Sequence, residues 1–445
     1  MTHARNTRKV IAYMMSRFPV TTETFILYEI LELERRGWRV EVFPLLPRRA
    51  SVSHPGSEGV VARAHATPYL SLALLKAQLY WLSKRPGAYL RAWTDAISGN
   101  CRSPGFLARA LIVVPRAALF ARQMDALGVQ QIHAHWATHP TLAAFIIQRL
   151  SGIPYSFTAH AHDLYVDRSM LAEKLEEASF IATISEYNRG LLRELYGDEE
   201  AAKVSVVRCG VDFSIFRPPA SRPEVTPAHP FTFVCVASLQ DYKGQRFLLD
   251  ACAALKQRGV AFRCLLIGDG QERAKLEEQR RALGLEQEVS MLGQRPRDAV
   301  QETLALAHAM VLPSIITRYG KKEGIPVALM EALATELPVI ATRISGIPEL
   351  IVDGVTGMLV PEQDSAALAD AMETLVRSPA RGTRLGAAGR ARVLEEFSLQ
   401  TNVSRLEQLL QQVQPRLPTG HPRAERDGGS LERRGGQPMP LERVS

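Results

Sequence analysis

The chain is short of cysteine, of long uncharged apolar runs and of acidic metal motifs, and each scarcity removes a class of function. Its five cysteines (Cys101, Cys209, Cys235, Cys252, Cys264) are odd in number and far apart. None belongs to a Cys-x-x-Cys pair or has a histidine at metal-ligand spacing. A disulfide scaffold and a zinc module are therefore set aside, and reduced core thiols of a cytoplasmic protein are expected. No stretch reaches about 18 uncharged apolar residues. The best, residues 110–120, is interrupted by Pro115 and Arg116, so no membrane-spanning helix is expected. The apolar run at residues 10–15, near a basic N-terminus, is too short for a signal peptide. Zinc-finger spacing, RNA-binding aromatic motifs and dense basic runs are missing too, which argues against nucleic acid as a partner. No Asp-x-Asp occurs, so the common means of holding a metal–diphosphate pair is absent and metal-independent chemistry is expected.

What is present is ordinary in bulk and uneven in charge. With 445 residues, 46% hydrophobic and 22% charged, the composition suits a globular protein of two domains. The net charge is +8, yet residues 1–125 hold 18 Lys and Arg against 8 Asp and Glu. A basic first half points to anionic substrates or to peripheral contact with an anionic membrane face. Tyr80, Trp81, Tyr89, Trp93 and Phe106 interleave with Arg and Lys in the helix-rich segment 68–127, where they serve either as helix core or at a membrane interface.

Short apolar runs alternate with helical periodicity along most of the chain. Residues 9–15, 38–46, 131–135, 155–158, 179–184 and 204–207 read as strands of a first α/β domain spanning 1–217. Residues 218–230 have the proline-rich composition of a linker. A second domain, 231–397, repeats the pattern with strands at 231–237, 263–267, 289–292, 309–312, 339–341 and 357–360. A last helix is expected at 398–413 and a disordered tail at 414–445. Two doubly wound parallel domains facing a cleft should bind ligand at the carboxyl ends of their strands.

The most informative motif is Glu323-Gly-Ile-Pro-Val-Ala-Leu-Met-Glu331. The Gly-Ile-Pro step reads as a helix start. Glu323 then sits just outside the helix and Glu331 about two turns in, roughly 12 Å apart along the axis. That is too far for a carboxylate pair flanking one glycosidic bond, which needs about 5–9.5 Å. It suits the gripping of two ends of one long polar ligand, with the free helix N–H groups between them as an anion site. Lys243-Gly244 follows a strand and opens a helix, where dipole and ammonium act on one diphosphate. His160, at a strand end, faces the cleft and is placed to hydrogen-bond a sugar hydroxyl. The cluster His133, His135, His160 and His162 lacks clean metal spacing. Gly268-Asp-Gly270 is a fragment of a dinucleotide fingerprint, and a tight turn is its simpler reading.

Taken in order, these motifs resemble the family 4 glycosyltransferases of the GT-B fold, from about Lys9 to Val413. The strongest part is Pro313-Ser314, Glu323-Gly-Ile-Pro…Glu331-Ala, Leu337-Pro-Val-Ile, Gly346…Glu349 and Asp353-Gly…Gly357-Met-Leu-Val. Phe18-Pro-Val-Thr-Thr-Glu23-Thr-Phe25, Ile132-His-Ala-His-Trp136 and Phe157-Thr-Ala-His160-Ala-His-Asp163 are similar to the branch that builds bacterial exopolysaccharides such as colanic acid. The resemblance implies a retaining, metal-independent transferase with no cofactor, whose substrate is a UDP- or GDP-linked sugar. The implied acceptor is a glycan or lipid-linked glycan, and the implied site is cytoplasmic, at the anionic inner-membrane face. It assigns Glu323, His160 and Lys243 to catalysis. Glu331, Gly324, Ile325, Pro326 and Ser238 fall to the donor, and Thr22, Glu23 and Asp163 to the acceptor side. Ala237-Ser238-Leu239 stands where the family often has Gly-Arg-Leu, so Lys243 or Arg246 takes over phosphate charge. A non-catalytic membrane assembly subunit is the alternative that this missing arginine motivates.

Overall fold

The computed structural model describes residues 9–20, 23–46, 58–68, 71–101 and 103–414. Twelve strands form two six-stranded sheets, all pairings parallel. The first sheet holds β1 (Val10–Met15), β2 (Arg39–Pro44), β3 (Gln131–His135), β4 (Tyr155–Ala159), β5 (Ile181–Thr183) and β6 (Val204–Val206) in the order β2-β1-β3-β4-β5-β6. The second holds β7 (Phe231–Val236), β8 (Phe262–Ile267), β9 (Val289–Gly293), β10 (Ala309–Leu312), β11 (Val339–Thr342) and β12 (Met358–Val360) in the order β12-β11-β10-β7-β8-β9. Each sheet reverses its direction of growth once, between β1 and β3 in the first and between β7 and β10 in the second. A parallel strand covered on both faces has no solvated side, and β3, β4, β10 and β11 are buried at every residue.

One apolar core lies around the second sheet and one on each face of the first. Segment 218–230 is not loose: the Arg222 guanidinium donates to the carbonyls of Leu304 (2.7 Å), Ala307 (2.7 Å) and Thr335 (2.6 Å), tying it to the second domain. The terminal helix Leu399–Gln412 crosses back to the first domain. There Leu399, Val403, Leu406 and Leu410 join Ile11, Tyr13, Ile26 and Ile30 in one apolar layer. The Trp38 indole donates to Glu407 at 3.0 Å and Arg36 donates to the Gln400 carbonyl at 2.9 Å. From residue 415 on, the expected disordered tail lies outside the described residues.

The segment 68–127 resolves into helices Leu72–Lys84, Pro86–Asn100 and Pro104–Leu127. The last is long and apolar enough to cross a bilayer by length and composition, which residues 110–120 alone do not suggest. Half of its apolar window is buried inside the molecule, however, with Val114, Ala117, Phe120 and Ala121 fully enclosed. Arg116 is buried among them and donates to the carbonyls of Leu45 and Thr67. This is the packing of a core helix.

Candidate active site

The switch point of the second sheet brings together two loops that are 80 residues apart in sequence. The loop after β7 runs through Ala237-Ser238-Leu239 into the 3-10 turn Asp241–Lys243. It enters helix Gln245–Gln257 at Gly244, whose φ of +68° favours glycine. A Cβ there would overlap the carbonyl oxygen of Pro313, so only glycine lets this loop lie against the one after β10. As a result the Lys243 ammonium forms an ion pair with the Glu323 carboxylate, both largely buried. Burial lowers Lys243 to about 8, and the nearby Lys321 ammonium adds to the effect. Ser238 is half-buried beside them; its carbonyl accepts from Gln245 at 3.0 Å and its hydroxyl pairs with Tyr242. Arg246 instead lines a 520 Å³ cavity with Gln240, Asp241, Arg318 and Gln363, and neither glutamate of the pair borders it.

The helix that follows spans Val327–Ala334, with Pro326 as its N-cap rather than its first helical residue. Among the described residues no backbone carbonyl accepts from the N–H of Gly324 or Ile325, so these donors and the helix N-terminus remain open to an anion. The Ser345 hydroxyl donates to the Glu323 carbonyl at 2.5 Å and fixes the loop from behind. Glu331, in the second turn, is half-buried, and burial raises its carboxyl to about 7 against the pull of Arg297. Arg297 lies over the Tyr28 ring at 4.3 Å and donates to its hydroxyl, which carries a first-domain helix to the Glu331 end of the site.

Across the cleft, β3 and β4 deliver the histidines. His135 and His160 are buried, and His135 Nδ1 lies 3.1 Å from His160 Nε2. His135 Nε2 lies 3.1 Å from Glu29 Oε1, which also accepts from the Tyr13 hydroxyl at 2.7 Å. The His160 ring sits between Phe25 (5.2 Å) and Trp136 (4.9 Å), the latter at a φ of +70° that is rare for a bulky residue. Burial, with His135 and His133 nearby, holds His160 well below the usual imidazole value. His162 is separate: it is exposed and pairs with Asp167 at 3.0 Å.

One acceptor-side expectation changes. The Asp163 carboxylate is buried and accepts from the backbone N–H groups of Ala137 (2.8 Å), His160 (3.1 Å) and Ala161 (2.9 Å). It fastens the β3 and β4 loops to each other and has no face left for an acceptor. Thr22 lies outside the described residues. Glu23 is the N-cap of helix Thr24–Arg35 without a side-chain cap bond, and burial raises its carboxyl to about 7. Pro326 is buried too, as are Gly324 and Ile325. A Cβ on Gly324 would lie 2.6 Å from Ile184 and 3.6 Å from the His160 carbonyl, so the Glu323 loop closes directly onto the histidine loop.

Sequence reasoning missed Glu29, Arg297 and Tyr28. The available signal was that Glu29 lies four residues beyond the Phe25 of the first signature, on the same helical face.

Two family models match the chain in tandem, Glycosyltransferase Family 4 over residues 22–214 and Glycosyl transferases group 1 over residues 217–392. A protein of Salmonella typhimurium named as a colanic acid biosynthesis glycosyltransferase, WcaL, is 30% identical over 91% of this chain and 100% of its own length. The amylovoran biosynthesis glycosyltransferase AmsK of Erwinia amylovora is 35% identical over 48% of this chain and 52% of its own. Among solved structures, HepE of Anabaena in complex with UDP superposes with a TM-score of 0.65, at 18% identity, over 91% of this chain and 100% of that one. A glycosyltransferase from Rickettsia africae gives 0.67, at 16% identity, over 92% and 100%. The fold is thus GT-B.

Proposed function

We propose, from the premise that this chain belongs to the family 4 glycosyltransferases, that it moves a sugar from a nucleotide-sugar donor to a glycan or lipid-linked acceptor in exopolysaccharide synthesis. The observation that carries the reading is the meeting, at the switch point, of Lys243, Glu323 and an open helix N-terminus opposite His160. The donor diphosphate takes Lys243 away from Glu323 and lies over the N–H groups of Gly324 and Ile325. Glu323 is then free to accept hydroxyls of the donor sugar, and Glu331 those of the ribose. Charge that develops on the departing diphosphate is met by Lys243 and the helix dipole, one such contact contributing about 3–4 kcal/mol. The C1–O bond to the phosphate breaks as the acceptor oxygen attacks the same face, and a donor phosphate oxygen takes the acceptor proton. The sugar keeps its anomeric configuration, and no metal enters the scheme.

The acceptor is drawn from a membrane surface. Helices Leu72–Lys84 and Pro86–Asn100 expose Leu72, Leu75, Leu79, Leu82, Leu90 and Ile97 to solvent. Lys76, Lys84, Arg85 and Arg91 are exposed among them, and Asp95 is the only acid in residues 72–100. An apolar face ringed by cations suits an anionic bilayer surface.

A transfer assay with UDP-, GDP- and ADP-sugars and membrane-extracted acceptor tests the enzymatic reading, with the product's anomeric configuration read by NMR. One donor is consumed with retention, and Glu323→Gln lowers turnover on the order of 10²–10³-fold. An inverted product, or wild-type turnover in the variant, would refute it.

A further inference from the structure

Tyr13, Glu29, His133, His135 and His160 form one connected group of polar side chains in the first domain, and of these the reading above names only His160. Tyr13 lies on β1, Glu29 on helix Thr24–Arg35, His133 and His135 on β3, and His160 just after β4, so four elements converge beneath the cleft. A carboxylate can only accept, which fixes the polarity of the chain. Glu29 Oε1 has two neighbours, and both must donate: the Tyr13 hydroxyl at 2.7 Å and Nε2–H of His135 at 3.1 Å. With its proton on Nε2, His135 offers Nδ1 as an acceptor. His160 Nε2, 3.1 Å away, must then carry the hydrogen that fills this contact. That leaves His160 Nδ1 unprotonated, and among the described residues it has no hydrogen-bond partner.

We infer that Glu29 and His135 are positioning residues for His160, holding it as the neutral Nε2–H tautomer so that Nδ1 accepts a hydrogen bond from a sugar hydroxyl. The inference deepens the reading of His160 as a sugar-facing group and rests on it. Burial would raise Glu29, but the hydrogen bonds from His135 and the Tyr13 hydroxyl act against it, and the carboxyl lies below the usual carboxylate value. His133 stays neutral beside them, lowered to about 3 chiefly by burial. The Phe25 and Trp136 rings on His160 prevent it from turning away from this register.

The same residues raise the question of a metal, because ligand atoms of Glu29, His133 and His135 lie within 4.8 Å of one another. His133, however, already has Ser156 Oγ at 2.9 Å from Nδ1 and Thr158 Oγ1 at 2.9 Å from Nε2. His135 likewise has both nitrogens engaged. The histidines are committed to hydrogen bonds, which favours a proton-ordered chain over a coordination site.

Nitrogen–proton correlation spectra of histidine-labelled full-length protein test this without reference to activity, with His160→Gln to assign the signal. The wild type is expected to show His160 protonated on Nε2 and bare on Nδ1. Glu29→Leu removes the acceptor that holds the His135 proton on Nε2, so the His160 signal divides between its two tautomers. In the transfer assay the same variant lowers kcat on the order of 10²-fold, and Glu29→Asp, which keeps the charge, recovers part of it. A wild-type His160 protonated on Nδ1 overturns the inference, as does a tautomer indifferent to Glu29→Leu. If Glu29→Leu fails to fold, His135→Gln and the wild-type spectrum carry the test. Shifts of the His133 and His135 signals on adding zinc to chelator-treated protein would assign the cluster to a metal and overturn it. The expected tautomers in a protein that transfers no sugar would support the chain and refute the enzymatic reading.

Discussion

At the scale of single residues, burial displaces the ionisation of groups in the proposed donor site. Burial raises Glu331 to about 7. Between the usual 4.5 and about 7 it is protonated in the folded protein and ionised in the unfolded chain, so stability falls as pH rises through that window. The cost above pH 7 is on the order of 3 kcal/mol at most. Glu331→Gln should therefore raise the melting temperature at pH 8 by a few degrees and leave it unchanged at pH 5, while weakening the donor at both. Thermal melts across pH with and without donor check this; a lower melting temperature at pH 8 would mean that the carboxylate stabilises the fold and is not held ready for a ligand. Glu323, Glu331 and Lys243 stand out in the sequence because helix-start chemistry and spacing are local, and the structure brings Lys243 and Glu323 together. Asp163 was misread because the N–H groups it binds belong partly to Ala137, 26 residues away, and sequence adjacency to His160 says nothing of which way a carboxylate turns. Glu29 was invisible for the same reason: its partner His135 is 106 residues distant.

At the scale of elements, the sheets were the most readable part. Parallel strands buried on both faces read as short, mostly apolar runs, and each expected strand lies within two residues of an observed one at most ends. The expected helix start at Gly-Ile-Pro shifts by one residue, because Pro326 caps the helix and does not enter it. The helices of segment 68–127 were legible as helices, but which faces they bury was not. Trp81 turns inward and donates to the Ala118 carbonyl at 2.8 Å, whereas Leu72, Leu75, Leu79 and Leu82 of the same helix face outward. Leu75 and Leu79, 58% and 59% exposed, have little to lose on becoming polar. Leu75→Asp with Leu79→Asp should leave the melting temperature within about a degree. The pair should abolish co-flotation with anionic vesicles, and salt should weaken wild-type flotation. Equal binding to zwitterionic vesicles, or binding that survives both substitutions, would rule out the proposed surface.

At the scale of the whole molecule, the two domains meet through contacts that no local pattern announces. The Glu349 carboxylate accepts from the N–H groups of Glu186 (2.9 Å) and Tyr187 (2.8 Å) and pairs with Arg208 at 3.1 Å. A second-domain residue thereby caps a first-domain helix. Lys322 reaches across to the rings of Tyr165 (4.6 Å) and Tyr187 (4.8 Å). With the returning helix Leu399–Gln412, these contacts hold the Glu323 loop against the histidine loop, the arrangement a donor spanning both lobes requires. The account turns on the diphosphate displacing Glu323 from Lys243. Calorimetric titration of UDP and GDP into the wild type and into Lys243→Ala tests this most directly. The wild type should bind one of the two, and the variant should bind it on the order of 10²-fold more weakly, about 2.7 kcal/mol. Equal affinity in both proteins, or no binding by the wild type, would contradict it.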